Sequence, residues 1–87
     1  MTTVIVVHDV DDVAHWLSSQ KRAEFFSKHG MTVRTFVDPG GRNRVGLIIE
    51  NVPSLEALNE ALQSADAAEA MKHDGVHPDT VELFVAS

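Results

Sequence analysis

The 87-residue sequence has no cysteine, no cluster of basic residues and no long apolar run. Without cysteine there is neither a disulfide framework nor a thiolate metal site. Seven Lys and Arg residues against 13 Asp and Glu residues give a formal net charge of −6. The basic residues form no patch that would bind phosphates, so nucleic acid is not an expected partner. No apolar run approaches the ~20 residues that span a bilayer, so no membrane partner is expected.

Several familiar motifs are also missing. The first residues, MTTVIVVHDVDD, lack the basic segment and apolar core of a signal peptide, so a cytoplasmic location is the expectation. There is no GxGxxG motif, no Ser-His-Asp spacing and no cysteine nucleophile. The glycine-rich stretch PGGRNR is not followed by a helical pattern, which argues against a phosphate-binding loop.

The composition, 44% hydrophobic and 23% charged, is typical of a soluble globular domain. The length predicts one domain over residues 1–87. A domain of this size buries only roughly 60–65% of its unfolded surface, so a partner subunit would add stability. Five histidines in so short a chain favour the interpretation that one or more of them titrates or binds a ligand in the function of the protein.

The pattern of apolar residues and turns predicts the element order βαββαβ, with each crossover in two helical pieces. Asp9 or Asp11 is the expected N-cap of the first helix, and Ser18 or Ser19 that of the second. Gly75 is expected to end the last helix. The predicted strands are 4–7, 31–38, 44–50 and 79–85, and the predicted helical pieces are 11–17, 19–29, one that begins after Ser54 and one that ends at Gly75.

An internal repeat supports this order. Residues 4–10 align with 46–52, residues 19–31 with 64–76, and residues 32–37 with 80–85. The offset grows from 42 to 45 to 48, so the second half carries two three-residue insertions, one of them His77-Pro78-Asp79. Two βαβ halves of this kind predict an α+β, ferredoxin-like fold with a four-stranded antiparallel sheet.

Alternation along the strands assigns residues to the two faces of the sheet. One face is almost wholly apolar and is expected to carry the helices; it comprises Ile5, Val7, Val33, Thr35, Val37, Val45, Leu47, Ile49, Val81, Leu83 and Val85. The other is mixed, with charges among apolar side chains; it comprises Val4, Val6, His8, Thr32, Arg34, Phe36, Arg44, Gly46, Ile48, Glu50, Thr80, Glu82 and Phe84. The mixed face is too apolar for a monomer, which predicts a homodimer through it.

This element order and this face resemble the dimeric α+β barrel superfamily over the whole chain. That superfamily includes small cofactor-free monooxygenases of polyketide pathways, haem-degrading enzymes, muconolactone isomerase-like proteins and polyketide cyclases. The haem-degrading members combine an Asn, a Trp and a His, a pattern that His8 and Trp16 do not reproduce. The resemblance therefore implies the fold of this superfamily but does not specify which of its activities the protein has.

The candidate site lies where the first strand ends beside the last insertion. His8 and His77 are the candidate catalytic bases, because an imidazole titrates near neutral pH. His8 is expected roughly opposite Thr80. The candidate substrate-binding residues are Trp16, Phe26, Met71 and Arg44.

Three functions fit these residues. The first is a small-molecule enzyme of cofactor-independent cyclase, monooxygenase or isomerase type, with an apolar or aromatic substrate. The second is a non-catalytic dimeric module that binds a small apolar ligand or has a structural role. The third is a metal-binding protein that uses His8, His73 and His77, although Gly75 and Pro78 rule out a helical HxxxH arrangement.

Overall fold

The computed structural model describes all 87 residues, which form a four-stranded antiparallel sheet with four helices. The elements are β1 (Thr2–Asp9), α1 (Val13–Ser18), α2 (Lys21–Lys28), β2 (Thr32–Val37), β3 (Arg44–Val52), α3 (Leu55–Leu62), α4 (Ala65–Asp74), a 3-10 helix (Pro78–Thr80) and β4 (Glu82–Val85). The strands lie in the order β2-β3-β1-β4. The predicted α+β, ferredoxin-like βαββαβ fold is confirmed. None of the helices combines the length and apolar character needed to cross a bilayer.

The helices begin and end where local chemistry stabilises their termini. Ser54 and Ser64 accept hydrogen bonds from the backbone N–H groups three residues on, as side-chain N-caps do. Gly75 ends α4 in the left-handed conformation at φ 75°, as predicted. In the first crossover the N-cap of α1 is Asp12, and not Asp9 or Asp11. α2 begins after Gln20, which makes no side-chain cap; of the predicted caps, Ser19 lies one residue earlier, and its hydroxyl accepts from the backbone N–H of Lys21 at 3.2 Å.

The assignment of faces is correct for three strands and wrong for β1. Val4 and Val6 lie opposite Ile49 and Leu47 in the ladder, and all four are buried beneath the helices. Ile5, expected on the helix-covered face, is 44% exposed on the other side. The repeat alignment between β1 and β3 was off by one residue, and such a slip moves every side chain of a strand to the opposite face.

The open face of the sheet therefore differs from the one predicted. Ile5 and Val7 of β1 join Phe36 of β2, Ile48 of β3 and Phe84 of β4 on that face. Phe84 is 55% exposed and Phe36 is 45% exposed, although both are large apolar side chains. The patch remains mixed in character, because charged side chains of the same strands alternate with these residues.

Candidate functional site

A partly open cleft of about 490 Å3 lies between the sheet and the helices. Its floor comes from β1 and β3, and its walls come from α2, α4 and the segment that leads into β4. Most of the lining is apolar. The lining residues are Val6, His8, Trp16, Arg22, Phe25, Phe26, Leu47, Ile49, Leu62, Gln63, Ala67, Ala70, Met71, Asp74, Val76, Pro78 and Val81. The volume lies in the range of small-molecule sites.

His8 is the one histidine in the wall of this cleft, and it is 3% exposed. Because the faces of β1 are the reverse of those predicted, His8 lies on the helix-covered side of the sheet and not at the predicted interface. Its Nδ1 lies 3.3 Å from the Asp9 carbonyl oxygen, which can only accept, so Nδ1 is the protonated nitrogen. Burial is the main cause that lowers the pKa of His8, and the nearby Arg22 and Arg44 lower it further. At neutral pH the imidazole is therefore uncharged, and Nε2 has a free lone pair.

Trp16 connects His8 to a second group of polar residues. The indole is 1% exposed, and the His8 ring meets it edge-on at 5.8 Å between centroids. The Arg22 guanidinium lies over the Trp16 ring, with Cζ 4.0 Å from the centroid. Both terminal nitrogens of Arg22 donate to the Trp16 carbonyl oxygen at 3.2 Å. His8 and Arg22 are thus held on one indole at the same end of the cleft.

Asp74 completes this polar end. One of its oxygens lies 3.5 Å from Arg22 Nη1, and the other lies 2.9 Å from His73 Nδ1. The Asp74 side chain is only 4% exposed. Burial is the main cause that lowers the pKa of Arg22, and the attraction of Asp74 opposes that effect only in part. His15 Nε2 lies 2.8 Å from the His73 carbonyl oxygen, so His15 ties α1 to the end of α4.

Arg22 and Asp74 were not among the residues predicted from the sequence. Asp74 did give a signal, because a carboxylate in the last turn of a helix faces the negative end of the helix dipole. Such a placement indicates a tertiary partner. Arg22 gave no comparable signal, since an arginine on a short amphipathic helix usually faces solvent.

His77 and Arg44 lie outside the cleft. They line a separate, open depression together with Asp9. His77 Nε2 is bonded to an Asp11 carboxylate oxygen, and this hydrogen bond is the main cause that raises the pKa of His77. Arg44 is paired with Asp9 at 3.0 Å and with Glu82 at 2.7 Å. The expected contact of His8 with Thr80 is shifted by one residue, since Thr80 Oγ1 accepts from the backbone N–H of Asp9.

Of the predicted site residues, the cleft therefore unites His8 with Trp16, Phe26 and Met71. It excludes His77 and Arg44. The third hypothesis, a metal site at His8, His73 and His77, is not supported, because no three His, Cys, Asp or Glu side chains in the structure converge as metal ligands do. His73 instead pairs with Asp74.

Comparison with known proteins agrees with the fold. A structure described as an antibiotic biosynthesis monooxygenase has a TM-score of 0.64 at 15% identity, covering 100% of this chain and 97% of that one. Protein Atu4242 from Agrobacterium tumefaciens has a TM-score of 0.68 at 14% identity, covering 100% and 92%. A protein from Deinococcus radiodurans assigned to the antibiotic biosynthesis monooxygenases has a TM-score of 0.59 at 15% identity, covering 100% and 91%.

These similarities define the class of the fold. No family model matches the chain, and no curated protein matches it in sequence. At 14–15% identity the solved structures establish a shared ferredoxin-like architecture over the whole chain.

Proposed function

We propose that this protein is a small-molecule enzyme that binds an apolar or aromatic substrate in the cleft between sheet and helices and removes a proton from it with His8. The observation that carries the proposal is a largely apolar cleft of about 490 Å3 with an uncharged, buried imidazole in its wall. The fold shared with proteins named antibiotic biosynthesis monooxygenase supports the choice of class.

The reaction is of cofactor-independent monooxygenase, cyclase or isomerase type. Each of these reactions can begin with the loss of a proton from an acidic C–H or O–H group, which leaves an electron-rich carbon centre on the substrate. A base for that step must be unprotonated at working pH and must lie against the substrate. His8 meets the first condition, because burial lowers its pKa and Nδ1 carries the proton that Nε2 lacks. It meets the second because it lies in the wall of the cleft. The chemistry proposed here uses no bound cofactor.

Exchange of an acidic C–H proton tests this role directly. 2-Tetralone in D2O is a suitable probe, because its ketone acidifies neighbouring C–H groups beside an apolar ring, and NMR follows the loss of those protons. We expect the protein to accelerate exchange and His8→Gln to reduce the acceleration by about a hundredfold or more, the usual contribution of a general base. His77→Gln is the matched control and should leave the rate unchanged. A loss of activity in His77→Gln alone would move the site to the open depression.

Occupation of the cleft is tested by filling it. Ala67 is 3% exposed and lines the cleft, whereas Ala68 lies beside it on α4 and faces solvent. We expect Ala67→Leu to abolish both probe binding and exchange, and Ala68→Leu to affect neither. Trp16, the single tryptophan, reports the folded state and the bound ligand through its fluorescence. Exchange that survives Ala67→Leu in a folded protein would refute the cleft as the site.

The second candidate function is a non-catalytic dimeric module, which the open sheet face favours. Phe36 and Phe84 are exposed there, and Arg34 and Glu50 of the same face form no ion pair within the chain. We propose that a second copy covers this face and pairs these charges. Binding of probes in the cleft without any acceleration of exchange would favour the module over the enzyme.

A further inference from the structure

We propose that Arg22 is the anion-binding residue of the cleft, so that the ligand is an apolar molecule with one acidic oxygen: a carboxylate, an enolate or a phenolate. This inference rests on the proposed function, because it assumes that the cleft binds a ligand. It goes beyond it by assigning the charge and the orientation of that ligand.

The guanidinium of Arg22 has more donors than its neighbours use. An arginine side chain offers five N–H donors and no acceptor. The Trp16 carbonyl oxygen accepts from both terminal nitrogens at 3.2 Å. The nearest Asp74 oxygen lies at 3.5 Å from Nη1, beyond the usual 2.7–3.2 Å of an N–H···O hydrogen bond. Donors therefore remain available at the polar end of a cleft that is otherwise lined almost wholly by apolar side chains.

The position of the guanidinium is set by rigid surroundings. The Arg22 side chain is 10% exposed, and its Cζ lies over the indole of Trp16, 4.0 Å from the ring centroid; Trp16 is itself 1% exposed. Stacking on an aromatic ring and two bonds to one carbonyl fix both the plane and the rotation of the group. A preorganised planar donor set of this kind suits the oxygen atoms of a carboxylate or an enolate.

The charge of Arg22 is only partly compensated within the chain. Asp74 shares its charge between Arg22 and His73, and its shorter contact, 2.9 Å, is to His73. Burial lowers the pKa of Arg22 more than Asp74 raises it. The guanidinium nevertheless stays cationic, since arginine does not lose its proton in proteins. A ligand oxyanion beside Arg22 would supply the negative charge that Asp74 provides only in part.

His8 and Arg22 both contact the indole of Trp16, so Arg22 lies close enough to take part in the proposed reaction. If His8 Nε2 takes a proton from a ligand O–H group, the N–H bond forms as the O–H bond breaks, and the oxygen retains the electron pair. Arg22 is the arginine in the wall of the cleft that can balance this negative charge, because His8 and Arg22 both contact Trp16. The pair would then work as base and counter-charge.

Two probes of equal shape and different charge test the inference. 2-Naphthoate is an anion, and 2-naphthamide is its neutral analogue; calorimetry gives the dissociation constant of each. We expect the wild-type protein to bind naphthoate about ten- to a hundredfold more tightly, as expected for a charge-assisted hydrogen bond. Arg22→Gln should reduce that ratio to about one, and Arg22→Lys should retain part of it. Arg42→Gln, at an exposed arginine outside the cleft, is the matched control and should leave the ratio unchanged.

Asp74→Asn gives an independent measurement that does not require removing Arg22. This substitution removes the competing negative charge, so naphthoate should bind more tightly while naphthamide is unaffected. A ratio near one in the wild-type protein, or a ratio that survives Arg22→Gln, would overturn the inference. Equal binding of both probes that Ala67→Leu abolishes would refute the role of Arg22 and leave the cleft function standing. If neither probe binds, both proposals fail.

Discussion

Replacing Asp74 with alanine tests the polar end of the cleft most severely. The substitution leaves the buried cation of Arg22 without its counter-charge and the Nδ1 of His73 without its acceptor. Removing one partner of a buried ion pair typically costs about 3–5 kcal/mol, because the remaining charge stays desolvated. The 3.5 Å separation between Arg22 and Asp74 places this pair at the lower end of that range.

Two local effects offset part of this cost. Asp74 lies in the last turn of α4, where the helix dipole disfavours a carboxylate by roughly 0.3–1 kcal/mol. Alanine also has a better helix propensity than aspartate, by roughly 0.5 kcal/mol. We therefore expect Asp74→Ala to lower the free energy of unfolding by about 2 kcal/mol. In a domain of this size that corresponds to a fall in Tm of roughly 8–16 °C.

Urea unfolding at fixed protein concentration, followed by Trp16 fluorescence, measures this change. Glu69→Ala is the matched control, because Glu69 is an exposed carboxylate on the same helix with no ion pair. A double-mutant cycle with Arg22→Met isolates the pair: the double variant should be more stable than the sum of the single changes predicts, by about 1–3 kcal/mol. A cost below about 0.5 kcal/mol for Asp74→Ala, or a coupling of zero, would refute the reasoning.

Three further outcomes follow from the structure. NMR titration should give His8 a pKa below 6.5 and His77 a pKa above it. Because the unfolded chain binds a proton at His8 more readily than the folded chain does, His8 destabilises the fold as pH falls below about 6.5. The stabilisation from His77 is present at low pH and is lost as pH rises through the pKa of His77 in the folded chain. Phe84→Glu should convert a dimer into monomers in sedimentation experiments, and a wild-type protein that is monomeric at every concentration would defeat the interface. Gly75→Ala should lower the urea midpoint more than Gly30→Ala. Both glycines have a positive φ, but only at Gly75 would the added Cβ lie close to the side chain of Asp11, at 3.1 Å. Equal midpoints for the two variants would contradict this.

The architecture could be predicted because its signals are local. Ser54 and Gly75 mark helix ends through bonds that involve only a few neighbouring residues. The repeat offsets of 45 and 48 also match α2 to α4 and β2 to β4, and the second insertion leads into the 3-10 helix at Pro78–Thr80, whereas the offset of 42 between β1 and β3 is off by one residue. Such features need no knowledge of which elements pack together.

The cleft could be predicted only in part. Trp16, Phe26 and Met71 were expected in a pocket because large apolar side chains on helices face the sheet. Arg22 was missed because its role comes from contacts with residues far away in the sequence. Asp74, which lies 52 positions further along the chain, provides its counter-charge.

The amino-acid sequence by itself determined the order of elements, the start of α3 at Ser54, the end of α4 at Gly75 and the antiparallel topology, because propensity, capping and repeat spacing are local properties of the chain. Only the tertiary structure decided which face of β1 is covered. Val4, Ile5, Val6 and Val7 are all apolar, so alternation carries no information there, and burial depends on the register with β3. That one-residue register places His8 inside the cleft beside Trp16, and it thereby decides where the candidate chemistry lies.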